Sequence, residues 1–335
     1  MMKKILSLAM AAIMAMGLVA CGGAADEGAA GTKTTTLKLS FNQSEAHPQF
    51  LALTELSEKF YEATEGRYTI EISPNELLGN QKDSFESVQT GAIQMAMVAN
   101  SLVENVNSDF SVIGMPFVYD NVEHQKKVFT SGVLDELFAT TEANGFTVLT
   151  AFTAGGRCVY TDKPVNTPAD LAGYKIRVME SPTMMAMMEA MGGVGTPMAQ
   201  GEVYTAIQQG VINGGENNEI TYNDLKHYEV APYFSYTRHL MIPDLLIINT
   251  DTLKGMSEED QATLKTLITE TTAREFELWD ENVGPARENA EANGATFVEV
   301  DITPFQQACE ALQQEIAGKS ETATKLYNAV RELAA

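Results

Sequence analysis

The chain has 335 residues, 44% of them hydrophobic and 20% charged, enough apolar material for one or two ordinary domains and a poor fit to disorder, collagen or coiled coil. Lys and Arg number 22 against 45 Asp and Glu, a formal charge of -23, and so acidic a body repels phosphate backbones and anionic headgroups, which argues against nucleic acid as a partner. Three cysteines, Cys21, Cys158 and Cys309, and four scattered histidines, His47, His124, His227 and His239, suggest neither a disulfide scaffold nor a metal site.

In chain order, Met1 to Lys4 form a basic start, and Ile5 to Ala20 carry no charge and one polar side chain, Ser7. That apolar run spans about 24 Å as a helix, short of a hydrocarbon core of about 30 Å, so it reads as an export signal. Leu18-Val19-Ala20-Cys21-Gly22 resembles a lipoprotein signal-peptidase site, in which the cysteine is diacylated and becomes the mature N-terminus. A plain secretory signal with Cys21 incidental is the alternative. Residues 1–20 are then a lipoprotein signal peptide and 21–35 a flexible Gly/Ala/Thr tether.

Beyond it, Leu37 to Phe41 alternates with period 2, Phe50 to Thr64 has helical spacing, and Tyr68 to Ile72 alternates again. That strand-helix-strand order argues for an α/β domain with a largely parallel sheet. Gln81 to Thr90 reads as a helix and Ile93 to Val98 as a buried strand. Thr147 to Thr161 is extended but broken at Gly155-Gly156, where a strand would leave one domain for a second. Asn166 to Asp170 opens a helix, Lys175 to Met179 is a strand, and Pro182 to Met191 is a helix whose Met184, Met188 and Met191 share one face as core filler. Glu258 to Asn293 keeps helical spacing over about 54 Å, long enough to lie across two domains, with Gly284-Pro285 expected to kink it.

Catalytic motifs are missing. The sequence has no phosphate loop, no His-Glu-x-x-His, no Gly-x-Ser-x-Gly and no Cys-x-x-Cys, and Gly192-Gly-Val-Gly195 has the wrong spacing for a dinucleotide fingerprint and reads as a turn. No cofactor is expected. An exported hydrolase using Glu86 or Glu216 is the rival from another class.

The words Asn75-Glu-Leu-Leu-Gly79, Met115-Pro-Phe117, Gly-Gly-Arg157, Pro168-Ala-Asp-Leu-Ala-Gly173, Lys-Ile-Arg177-Val, Val211-Ile-Asn-Gly-Gly-Glu-Asn-Asn218 and His227-Tyr-Glu-Val230 occur in this order. From about Leu37 to Leu326 the chain resembles the solute-binding receptors of tripartite ATP-independent periplasmic (TRAP) transporters, of the DctP type. The resemblance implies a two-lobe, periplasmic-binding-protein-like α/β fold with a long hinge-spanning helix, residues 36–154 and 243–282 forming lobe I and 155–242 and 283–335 lobe II. It further implies a monomeric extracytoplasmic receptor, here lipid-anchored at the membrane, that hands an organic acid to a membrane permease. Arg177 stands where the family clamps the ligand carboxylate, Arg157 where a second cationic contact is made, and Asn217 where an amide bonds the same group. Strand-edge charge, structural ion pair and turn residue are the respective alternatives.

Loops at the ends of the first lobe's strands bring Asn42, Gln43, His47 and Asn100, neutral groups suited to hydroxyls. Gln200, Glu216, His239 and Asp244 come from the other side. Acids beside an arginine clamp favour a ligand rich in hydroxyl donors, a sugar acid such as D-glucuronate or D-galacturonate, over a C4-dicarboxylate. Gln200 stands where the family commonly has an aromatic, and Asn213 where Asp is usual. His47 before Pro48 also reads as a helix cap, and His239 as a brace for the hinge.

Overall fold

The computed structural model describes residues 33–334, so the leader, Cys21 and most of the expected tether lie outside it. The strands are β1 (Thr35–Ser40), β2 (Tyr68–Ser73), β3 (Met95–Ala99), β4 (Phe146–Phe152), β5 (Arg157–Thr161), β6 (Lys175–Val178), β7 (Val194–Pro197), β8 (Gly214–Asn217), β9 (Tyr233–Leu240), β10 (Asp244–Asn249) and β11 (Thr296–Val298). They form two sheets, β2-β1-β3-β10-β4 and β11-β9-β5-β8-β6-β7. Each sheet with its flanking helices is one lobe.

The first sheet follows from the strand-helix-strand pattern. β1 and β2 pair in parallel from Thr35↔Tyr68 to Ser40↔Ser73, and the helix Pro48–Ala63 makes the crossover. In β3 and β10, alternate residues enter opposite cores: Ala96, Val98, Leu245 and Ile247 one, Met95, Met97, Leu246 and Ile248 the other. A strand covered on both faces reads as a continuous apolar run, which is how both appear in the sequence. The sheet is mixed rather than largely parallel, because β10 runs antiparallel between β3 and β4.

The chain crosses between sheets at Thr153–Gly156, as the glycine break suggested, and returns between β9 and β10. Gly155 has φ +62°, and a side chain there would run into the Trp279 indole. The third link is the helix Glu258–Ala292, capped by Ser257 and unbroken through Pro285. Its Leu264, Ile268 and Leu278 pack in the first lobe's core and its Ala290 in the second's.

Two further expectations give way. Asn166 to Asp170 makes only a 3-10 turn, Pro168–Leu171: Asp170 accepts from the Asn166 and Thr167 N–H groups, and Gly173 at φ +78° turns the chain into β6. The final helix Glu321–Glu332 sends Ala323, Leu326 and Val330 into the core that contains Phe110 and Val128, on the first lobe rather than the second. Its amphipathic face has its apolar partners there. The methionine helix is Pro182–Ala190, with Met184, Met187, Met188 and Met191 all fully buried. Cys158 and Cys309 are free, buried thiols in separate cores. Among the described residues no helix is long and apolar enough to cross a membrane.

Candidate ligand-binding site

A pocket opens between the lobes where the strand ends meet. Arg157, Arg177, Met198, Gln200, Asn217 and Asn218 line one wall; Gln43, His47, Glu76, Asn80, Gln81, Lys82, Ser101 and Asp244 line the other.

The arginines come from adjacent parts of the second sheet. Arg157 begins β5, whose Cys158 pairs with Asn217 and Val159 with Glu216 of β8, and Arg177 lies in β6 opposite Gly215 on the other side of β8. Gly215 has no side chain because the Tyr160 hydroxyl occupies the space a Cβ would need. The two guanidiniums are equally buried, each 4% exposed, yet their bonding differs.

Arg157 donates from Nε and Nη2 to the two Glu216 carboxylate oxygens (2.5 and 2.7 Å), from Nη2 to the Glu216 carbonyl (2.6 Å) and from Nη1 to Asn217 Oδ1 (2.9 Å). Of its five N–H groups only one, on Nη1, lacks a partner among the described residues. Arg177 donates only Nε, to the Met198 carbonyl (3.0 Å). Its two terminal nitrogens have no hydrogen-bond partner among the described residues. Burial pulls the Arg177 pKa down, and the like charge of Arg157 adds to that against the pull of Glu216. Arg157 is instead raised, because Glu216 outweighs the cost of its burial. Arg177 is therefore a desolvated cation presenting the planar fork that suits a carboxylate.

Glu216 and His239 stand behind this wall and do not line it. Glu216 is fully buried under Arg157; burial opposes its charge, but Arg157 and His239 overcome that and draw it from 4.5 to about 2. His239 Nε2 lies 3.5 Å from Glu216 Oε2, and its Nδ1 is 2.9 Å from the Thr237 hydroxyl. Both were expected at the ligand for their polar chemistry, but β8 and β9 bury them behind the wall.

On the opposite wall, His47 caps the helix Pro48–Ala63 by accepting the Gln49 N–H on Nδ1 (3.3 Å), and burial lowers its pKa to about 3. The cap and pocket-lining positions thus coincide, with Nε2 as the protonated nitrogen. Asp244, at the start of β10, accepts from Gln49 Nε2 (3.0 Å); burial raises its pKa. Two expected residues are turned away. Asn100 is fully buried with Nδ2 donated to the Phe110 carbonyl (2.9 Å), and Asn42 points Nδ2 across the cleft at Gln200 Oε1 (3.4 Å).

Glu76, Asn80, Gln81, Lys82, Ser101 and Asn218 were missed. Asn80 and Asn218 had a readable signal, each being the N-cap of a helix at a strand end, Gln81–Gln89 and Glu219–Asp224. Gln81 accepts the Ala99 N–H on Oε1 (3.0 Å), which leaves its Nε2 as a donor without a partner among the described residues. No cluster of three or more metal-ligating side chains occurs among the described residues.

Two α/β lobes, linked by crossing strands and a long helix around a polar cleft, define a periplasmic-type binding protein. The chain matches the family described as bacterial extracellular solute-binding protein, family 7, over residues 39–320, and it belongs to that family, the TRAP solute-binding receptors. Proteins of this family are extracytoplasmic and work with membrane permease subunits. Among solved structures it is similar to a TRAP periplasmic solute-binding protein from Anaerococcus prevotii with bound α/β-D-glucuronate: TM-score 0.87, 35% identity, 90% of this chain and 98% of that one. Another, from Xanthobacter autotrophicus with bound β-D-galacturonate, gives TM-score 0.84 and 27% identity over 88% of this chain and 99% of that one. The C4-dicarboxylate-binding periplasmic protein DctP of Rhodobacter capsulatus is 28% identical over 83% of this chain and 80% of its own length.

Proposed function

We propose that this protein captures a hexuronate, D-glucuronate or D-galacturonate, by its carboxylate and delivers it unchanged to a TRAP permease, anchored at the membrane by a lipid on Cys21. The carrying observation is the Arg177 fork: a buried guanidinium with both terminal nitrogens unpartnered among the described residues, opening on the pocket between the lobes. A carboxylate supplies the missing counter-charge and accepts from both nitrogens, while the last Nη1 hydrogen of Arg157 and the Asn217 amide approach the same headgroup. His47 Nε2 and Gln81 Nε2 suit sugar hydroxyls.

The carboxylates of Glu76, Asp244 and Glu180 also line the pocket. As hydrogen-bond acceptors they suit the hydroxyl donors of a sugar, which supports a sugar acid over a C4-dicarboxylate. The uronates bound by the two structural relatives support the same choice. Closure follows from differential affinity: a ligand touching both walls favours the closed form by as much as it prefers that form over the open one. We divide the chain as 36–154 with 243–282 for lobe I and 155–242 with 283–335 for lobe II, except that the last helix, Glu321–Glu332, goes with lobe I because its apolar face packs there.

Titration calorimetry with D-glucuronate, D-galacturonate and succinate tests the reading, together with mass spectrometry of the recovered ligand. Micromolar or tighter binding of a uronate, weaker binding of succinate and an unaltered ligand are expected. Preference for succinate would move the protein to the dicarboxylate receptors, and a changed ligand would make it an enzyme.

A further inference from the structure

The loop after β1 reaches across the cleft. Gln200 Nε2 donates to Gln43 Oε1 (2.9 Å), Gln43 Nε2 approaches Gln200 Oε1 (3.5 Å), and Asn42 Nδ2 donates to the same oxygen (3.4 Å). Gln43 Nε2 also donates to the Thr221 hydroxyl (3.3 Å), and the Ser44 hydroxyl to Asp224 Oδ2 (3.2 Å). Each bond joins one lobe to the other through protein atoms alone. Exchanging O and N in both glutamine amides at once preserves their pairing.

The backbone beneath this loop is built at a cost. Asn75 and Glu76 are consecutive non-glycine residues in the left-handed region, φ +55° and +58°. That conformation directs the Asn75 N–H to the Gln43 carbonyl (2.9 Å) and the Glu76 N–H to the Phe41 carbonyl (3.2 Å). Two strained residues in succession persist only where the surroundings over-determine them. Here they fix the loop that carries Asn42, Gln43 and Ser44. The receiving side is also fixed: Thr221 and Asp224 lie on the helix capped by Asn218, which follows the arginine-bound Asn217 directly.

We propose that Asn42, Gln43 and Ser44 form a latch with Gln200, Thr221 and Asp224 that stabilises the closed form independently of any ligand, and that Gln200 controls ligand residence by closing the lobes rather than by touching the ligand. At this position an aromatic side chain would present a stacking face to the ligand; a glutamine engages the facing lobe. The latch rests on the reading of the protein as a closing receptor and adds a second source of closure energy to it.

The test separates latch from ligand contact. Ser44 and Asp224 do not line the pocket, so Ser44→Ala removes a clasp bond without touching the ligand, and Gln200→Met keeps the side-chain length without its hydrogen bonds. Small-angle X-ray scattering of the purified protein without ligand reads the closed fraction, and stopped-flow mixing with D-glucuronate reads the two rate constants. Both variants are expected to scatter as a more open population than the wild type. Dissociation should speed up about threefold for Ser44→Ala and roughly tenfold for Gln200→Met, with association changed by less than about twofold. Superimposable scattering curves, or a slower association with dissociation unchanged, would overturn the latch. If the wild type binds no uronate, the proposed function falls while the scattering comparison still decides the latch.

Discussion

On the second lobe's wall, Arg157 and Glu216 hold each other ionised beside a second buried guanidinium, Arg177; on the first lobe's side, burial pushes His47, Asp244 and Glu275 toward neutrality. Glu216 is drawn down to about 2 by Arg157 and His239 against its own burial. His47, lowered to about 3, is neutral, and burial raises Asp244 and, well above its ordinary value, Glu275 of the long helix. One wall carries a buried ion pair and a free guanidinium; the other presents mainly neutral hydrogen-bonding groups, with Glu76 and the exposed Lys82 beside them. A ligand with one anionic end and a hydroxylated body meets both without either wall having to reorganise, and Arg177 offers it a buried, unpaired cation within a protein of charge -23.

The largest effect is expected from breaking the ion pair that organises the charged wall. Glu216→Ala leaves Arg157 buried without its counter-ion and should cost about 3–5 kcal/mol of folding stability by urea titration. A loss below about 1 kcal/mol would mean the wall does not depend on that pair. The pH dependence has a definite sign. Because the folded pKa of Glu216 lies below the ordinary 4.5, its contribution is present above about pH 4.5 and lost as pH falls toward 2. The stability gap between wild type and variant should narrow across that window.

Arg177→Lys comes next and acts on binding rather than folding. Lysine keeps the charge but loses the fork and the Nε bond to Met198, so uronate affinity should fall about 100-fold by calorimetry while the melting temperature without ligand moves by less than about 2 °C. Unchanged affinity would remove Arg177 from the clamp.

The third prediction takes the neutralised side. Glu275 is fully buried, accepts the Thr153 N–H on Oε2 (3.1 Å), and has no partner for Oε1 among the described residues. Its raised pKa means that the folded state holds its proton more tightly than the unfolded chain. The associated stability is therefore full at low pH and lost as pH rises above the unfolded value of about 4.5. Glu275→Gln, which imitates the protonated acid, should match the wild type near pH 4 and exceed it by about 1–3 kcal/mol at pH 8. Parallel stability curves for the two proteins would show that Glu275 is ionised in the fold.

How these residues were legible differs by kind. Elements with an apolar period were readable: β1, β2, the helix Pro48–Ala63, and the long helix to within a residue of its end. The break at Gly155-Gly156 marked the crossing between sheets, because only glycine fits against Trp279. The antiparallel insertion of β10 was not readable, since a strand buried on both faces looks the same in either direction. The arginines and Asn217 were identified through the family words around them, but which arginine is neutralised depends on the β5–β8 register that sets Glu216 beneath Arg157. Asn100, Glu216 and His239 sit at strand ends or in strands near the pocket, and a side chain's choice between pocket and core depends on tertiary packing that local pattern does not carry. Gln81 and Ser101 fell to the same ambiguity in reverse.

Gln81 gives the smallest effect and the most direct comparison of the two walls. Its Oε1 is committed to the Ala99 N–H, so its Nε2 is the atom available to a ligand hydroxyl. Gln81→Glu retains the bond to Ala99 and exchanges that donor for an acceptor, adding one negative charge to the dipolar wall. Loss of one neutral hydrogen bond costs about 0.5–1.5 kcal/mol, so uronate affinity should fall by between twofold and about tenfold, against about 100-fold for Arg177→Lys. A loss as large as that of the arginine variant would mean that the dipolar wall contributes to recognition as strongly as the charged one, and the division of labour between them would not hold.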